Sequence, residues 1–175
     1  MRTIVSLALA AVFGLSVSGM ALAAGSGSGT APTAKDCKTG QVWDKKHKKC
    51  VKAAAGVVPD QELYEQGSAL AKDGHYEWAL QVLAAIGNQN DPKVLNYTGY
   101  SHRKAGRLDL GITYYQKALA IDPNFVLARE YLGEGYVAAG RVDLAKLELS
   151  EIATRCGTQC EEYKDLAEAI GTAAN

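Results

Sequence analysis

YTGYSHRKAGRLDL, Tyr97 to Leu110, returns 34 residues later as YLGEGYVAAGRVDL, Tyr131 to Leu144. Tyr, Gly, Ala, Gly, Arg, Asp and Leu hold matching places in the two stretches. A period of this length is one supersecondary unit, and so small a unit cannot bury its apolar faces alone. Apolar residues around it recur at three- and four-residue spacing, and Gly interrupts them near each expected turn. That pattern predicts helix pairs at about 60–73 and 76–86, 92–105 and 108–121, and 125–139 and 142–155. Stacked pairs bury their faces against one another, so the expected fold is an all-α helix-turn-helix repeat solenoid.

Small and aromatic residues recur within the units. The middle copy has Gly99, Gly106, Gly111, Tyr115, Ala118 and Pro123. The third has Gly133, Gly140 and Ala145, with Leu149 in the aromatic place and no terminal Pro. A first copy fits with Gly67, Gly74, Tyr76, Ala79 and Leu83, two residues short before Pro92. These positions resemble the tetratricopeptide repeat family, most specifically in YYQKALAIDPNF, Tyr114 to Phe125. The resemblance covers Pro59 to Asn175, with repeats at about 60–91, 92–125 and 126–157. RCGTQCEEYKDLAEAI, Arg155 to Ile170, closes the array. Gly157 suits a helix C-terminus, and Thr158 with Glu161 has capping-box spacing. Tyr163, Leu166 and Ile170 share a face, so a terminal capping helix is expected at about 159–172.

In that family the first helices of each pair line a concave face that holds an extended peptide or a helix of another protein. The resemblance therefore implies a partner groove of Tyr64 and Ser68, then Asn96, Tyr97, Tyr100, Arg103 and Lys104, then Leu127, Glu130, Tyr131 and Glu134. Tyr combines a large apolar face with a hydroxyl, which suits binding sites and helix interfaces alike. Some family members hold a C-terminal carboxylate with basic and amide residues. The matching positions here, Tyr64, Ser68, Tyr97, Leu127 and Tyr131, include no basic residue.

The N-terminal third is organised differently. Arg2, the apolar stretch Ile4 to Met20 and Ala21-Leu22-Ala23 read as a cleaved secretory signal, 1–23. No stable membrane insertion is expected after cleavage, because the stretch is shorter and weaker than a spanning helix of about 20 residues. Residues 24–34 read as a flexible linker, 35–52 as a small basic hairpin and 53–58 as a second linker before the 59–175 repeat domain. Val42, Trp43 and Val51 are candidates for short paired strands. An exported chain with four cysteines reads as disulfide-bonded. Three pairings are possible, and the local ones, Cys37 with Cys50 and Cys156 with Cys160, close the shortest loops. Zinc is the rival use of thiolates, but the pairs lie more than a hundred residues apart and no His stands beside the second. The spacing of that second pair is also one residue longer than the usual redox motif.

Seven Lys face Asp36 and Asp44 between Lys35 and Lys52, whereas 17 acidic residues face 11 basic ones from Ala53 onward. An acidic main domain argues against nucleic-acid binding. His47, His75 and His102 are scattered, with His102 read as a packing residue, and no phosphate-binding glycine string occurs. The sequence therefore reads as a non-enzyme without cofactor or metal: a periplasmic or secreted adaptor for another protein. An alternative is an envelope-polymer binder acting through the hairpin, since CKTGQVWDKKHKKC faintly resembles the last cysteine loop of small chitin-binding modules. Its lysines suit anionic polymers or lipid head groups.

Overall fold

The computed structural model describes residues 32–173. The expected signal segment and most of the first linker lie outside the described residues. Two strands, β1 (Gln41–Asp44) and β2 (Lys49–Lys52), precede seven helices: α1 (Asp60–Lys72), α2 (Tyr76–Leu83), α3 (Pro92–Lys104), α4 (Leu108–Ile121), α5 (Val126–Ala138), α6 (Val142–Cys156) and α7 (Glu161–Ala173). The fold is the expected helical-repeat solenoid with a small N-terminal disulfide hairpin.

Three turns repeat one closure. Gly106 N donates to Arg103 O while Arg107 N reaches back to His102 O, and Gly74 with His75 and Gly140 with Arg141 repeat both bonds. This motif needs a left-handed residue at its bend, and Gly106 supplies it at φ +84°. α3 starts at Pro92, whose missing N–H costs nothing in a first turn. Asp91 before it accepts from Lys93 N at 2.8 Å. Gly99 and Gly111 let α3 and α4 cross closely. A Cβ on Gly99 would lie 2.9 Å from the Tyr115 ring and 3.0 Å from Gly111 O. At Gly133 the neighbour is α7: a Cβ there would stand 2.5 Å from Leu166.

α2 is shorter than expected. Beyond Leu83 the chain tightens, with Ala85 N donating to Val82 O and Ile86 N to Leu83 O, Gly87 N is taken by Asp60 Oδ2 at 3.0 Å, and Gln89 Nε2 caps Leu83 O at 3.1 Å and Ile86 O at 2.6 Å. Thr158 makes no side-chain hydrogen bond, so the expected capping box is absent. α7 instead begins after Cys160, whose carbonyl accepts from Lys164 N. Cys156–Cys160 pins that corner and Cys37–Cys50 closes the hairpin.

The hairpin is docked on the first repeat rather than hung from a tether. Val42 pairs with Val51 and is fully buried in one core with Leu63, Leu70 and Val82. Gln66 on α1 acts as a strand edge: its Oε1 accepts from Trp43 N at 2.7 Å and its Nε2 donates to Trp43 O at 2.9 Å. Trp78 Nε1 donates to Gln41 O at 2.9 Å. Both expected linkers contribute to this core, through Ala34 and Val58. The hairpin thus caps the N-terminal end of the stack as α7, through Leu166 and Ile170, caps the other. Among the described residues no helix is long and apolar enough to cross a membrane.

Candidate partner-binding site

The first helix of each pair, α1, α3 and α5, carries tyrosines that meet across the repeats. Tyr64 meets Tyr97 edge-on with ring centroids 5.8 Å apart. Tyr97 lies 6.2 Å from Tyr100, and Tyr100 lies 5.1 Å from Tyr131. Tyr131 then reaches Tyr115 of α4 at 6.0 Å. Tilted and edge contacts suit the ring quadrupoles, so the row is held by its own geometry. Burial pushes the Tyr64 hydroxyl up to about 12 and raises those of Tyr100, Tyr115 and Tyr131, so these phenols are neutral near neutral pH.

The row divides into floor and surface. Tyr97 is 4 % exposed and Asn96 is fully buried, so these two expected groove residues lie beneath it. Asn96 holds both ends of its amide without a hydrogen-bond partner, a costly state for a buried polar group. Tyr64, Tyr100, Tyr131, Ser68 and Leu127 are half-buried and Lys104 is exposed. Ser68 Oγ turns to its own helix and donates to Glu65 O.

Cations sit against the rings. Lys72 Nζ lies 5.6 Å from the Tyr97 centroid, and Lys104 Nζ lies 5.7 Å from that of Tyr100. The Arg103 guanidinium lies 5.7 Å from Tyr100 and 5.8 Å from Tyr131. Its Nε donates to Tyr115 Oη at 3.2 Å, and its Nη2 pairs with Glu134. Lys72 and Tyr115 escape a reading of first-helix positions, since one ends its helix and the other stands on α4.

Glu130 is the exception to this pairing. It is 5 % exposed and makes neither hydrogen bond nor ion pair. Burial first, then Glu134, Asp165, Glu162 and Glu161, push its carboxyl up to about 8. Adding one repeat length to Tyr131 lands on Asp165, the signal that α7 continues the row of first helices.

Elsewhere, His102 stacks on Tyr114 at 5.4 Å and its Nδ1 accepts from Arg107 Nε at 2.8 Å. Burial and Arg107 lower its pKa, which agrees with a packing role. In the hairpin Lys45 pairs with Glu65 and Lys35 with Asp73, while Lys46, Lys48 and Lys49 are exposed and unpaired. Cys156, Cys160 and Glu162 bring three potential metal-ligand atoms together. Their two sulfurs are bonded to each other and offer no thiolate.

Residues 92–125 match the family model for the tetratricopeptide repeat. No curated protein matches the chain in sequence. Among solved structures, MamA is 16 % identical over 66 % of this chain and 68 % of its own, with a TM-score of 0.56. The first TPR of Spaghetti (RPAP3), bound to the HSP90 peptide SRMEEVD, is 15 % identical over 66 % of this chain and 94 % of its own, TM-score 0.57. SycD, the type III secretion translocator chaperone of Yersinia enterocolitica, is 20 % identical over 65 % of this chain and 87 % of its own, TM-score 0.55. At these identities the likeness is one of fold.

Proposed function

We propose that this chain, whose residues 92–125 match the tetratricopeptide repeat model, is a non-enzymatic scaffold of the cell envelope. It binds an extended segment or a helix of another protein across the tyrosine row. The observation that carries this reading is the unbroken ring contact from Tyr64 through Tyr97 and Tyr100 to Tyr131. Three repeats thereby present one surface with apolar edges, neutral hydroxyls and fixed cations, the residue types that dominate interface hot spots. Two relatives in fold support a protein partner: one holds an HSP90 peptide and another is a translocator chaperone. The basic tail-clamp positions of some family members are Tyr, Ser and Leu here, so the partner need not end in a carboxylate.

The partner is sought by crosslinking in intact cells and its affinity is then measured with variants. Tyr64→Ala combined with Tyr100→Ala leaves the buried Tyr97 in place, and the reading expects binding at least about a hundredfold weaker, since each hot-spot ring contributes about 2 kcal/mol. Circular dichroism confirms that the variant stays helical. Full binding by that variant, with loss in Lys46→Gln, Lys48→Gln, Lys49→Gln, overturns the groove in favour of the hairpin.

A further inference from the structure

The first two repeats end their first helices alike. Lys72 and Lys104 are the last residues of α1 and α3, each five residues after the glycine of its crossing, Gly67 and Gly99. Both are exposed, and each lies against a ring of the row. Lys72 Nζ stands 5.6 Å from the Tyr97 centroid and Lys104 Nζ 5.7 Å from that of Tyr100. Tyr97 and Tyr100 are themselves neighbours in the row, so the two ammonium groups border one aromatic surface. Neither makes an ion pair or a hydrogen bond among the described residues. The last carbonyls of both helices are taken by turn N–H groups, those of Gly74 and His75 after α1 and of Gly106 and Arg107 after α3. The neighbouring acids are committed as well: Asp73 to Lys35, Glu65 to Lys45 and Glu134 to Arg103.

We propose that Lys72 and Lys104 bind aspartate or glutamate side chains within the partner segment that lies across the tyrosine row. The inference rests on the groove reading and adds the partner's chemistry. Charge complementarity selects the occupant. From Ala53 onward 17 acidic residues face 11 basic ones, so the domain has acids in surplus, yet it sets none against this pair. A carboxylate arriving there meets an ammonium that the ring behind it already attracts and holds in place. The rings supply apolar edges and hydroxyls for the rest of the segment. Side-chain carboxylates fit better than a chain terminus, because the tail-clamp positions Tyr64, Ser68, Tyr97, Leu127 and Tyr131 carry no base. A nucleic-acid backbone fits poorly, since two lysines on an acidic domain displace few counterions. In the third repeat the matching residue is Ala138, five after Gly133. Acidic residues are therefore required over the first two repeats and not over the third.

The test uses the full chain, ¹⁵N-labelled with both disulfides intact, titrated with three acetylated and amidated pentapeptides. One alternates aspartate with leucine, the second asparagine with leucine and the third lysine with leucine, and the amide removes a terminal carboxylate from all three. The aspartate peptide is expected to shift amides near Lys72 on α1 and Lys104 on α3, while the other two leave them in place. Lys72→Gln with Lys104→Gln, exposed residues without ion pairs, is expected to weaken that peptide at least about fivefold and to leave the rest of the spectrum intact. Lys117 lies 5.1 Å from the Tyr114 ring on α4, off the row, and Lys117→Gln is expected to change nothing. Equal shifts from the asparagine peptide, no shift from the aspartate peptide, or shifts confined to the hairpin around Lys48 overturns the proposal. So does an inert double variant, or a Lys117→Gln effect as large as that of the double variant. Normal partner binding by the Tyr64→Ala, Tyr100→Ala variant defeats the groove reading, while a silent aspartate titration defeats the lysine pair alone.

Discussion

Replacing Glu130 by glutamine is expected to stabilise the protein, by an amount that grows with pH. The carboxyl is 5 % exposed and unpaired, and burial with four acidic neighbours moves it from 4.5 to about 8. The groups facing it are Glu134 on its own helix and Glu161, Glu162 and Asp165 on α7. Glu134, by contrast, is ion-paired with Arg103. Between 4.5 and about 8 the folded chain therefore holds a proton that the unfolded chain has released. Its contribution to stability is complete below 4.5 and lost as pH rises through about 8. The whole shift is worth about 5 kcal/mol at most, and solvent and relaxation reduce this to about 2–3 kcal/mol. Glutamine keeps the shape and never ionises, and Asn96, one repeat earlier, already stands there as a buried amide. Urea unfolding followed by circular dichroism, from about pH 5 to pH 9, reads the difference between variant and native protein. It is expected to rise from about zero to about 2–3 kcal/mol. His102, lowered from 6.5, titrates in both proteins and cancels. A difference that stays flat with pH, or a variant destabilised at pH 9, refutes the reasoning.

Three further outcomes follow from packing. Gly99→Leu is expected to lower the melting temperature far more than Lys104→Ala, because its Cβ meets the Tyr115 ring and the Gly111 carbonyl and overpacking costs about 1–3 kcal/mol or more; equal melts refute the crossing. Gln66→Ala strands the Trp43 N–H and C=O, at about 1–3 kcal/mol for each buried group, so hydrogen exchange over 41–52 is expected to quicken before that of α5 to α7, and unchanged exchange refutes the docking. Cys37→Ser with Cys50→Ser opens a loop of separation 13 at about 3 kcal/mol on the chain-entropy account, and thermal melts under non-reducing conditions check it; an unchanged melt refutes the staple.

The helices were legible because a repeat writes its packing into the sequence at a fixed period. Gly99, Gly106 and Pro92 stand where the turn and crossing geometry requires them, and observed bounds fall within a residue or two of the expected ones except at α2. There Asp60 takes the Gly87 N–H and Gln89 caps the last carbonyls, and no periodic signal marks either side chain. The tyrosine row was legible for the same reason, but its depth was not. Tyr97 and Tyr100 are three residues apart on one helix, yet the first belongs to the N-terminal core and the second reaches both cores. The hairpin's docking was invisible because it depends on Gln66 and Trp78, a polar and an aromatic side chain far along the chain from their strand partners. Its repeat position placed Glu130 in the groove, but its burial beside the α7 acids depends on the Gly133–Leu166 crossing, which no spacing marks.

Site-specific photo-crosslinking in intact cells tests the tyrosine row most directly. A photoreactive residue is placed singly at Ser68 or Lys104 beside the rings, at Lys117 on α4, and at Lys48 on the hairpin tip. The account predicts one discrete protein adduct from Ser68 and Lys104, absent or much weaker from Lys117 and Lys48. The same adduct from Lys48 or Lys117, with none from the positions beside the rings, contradicts it.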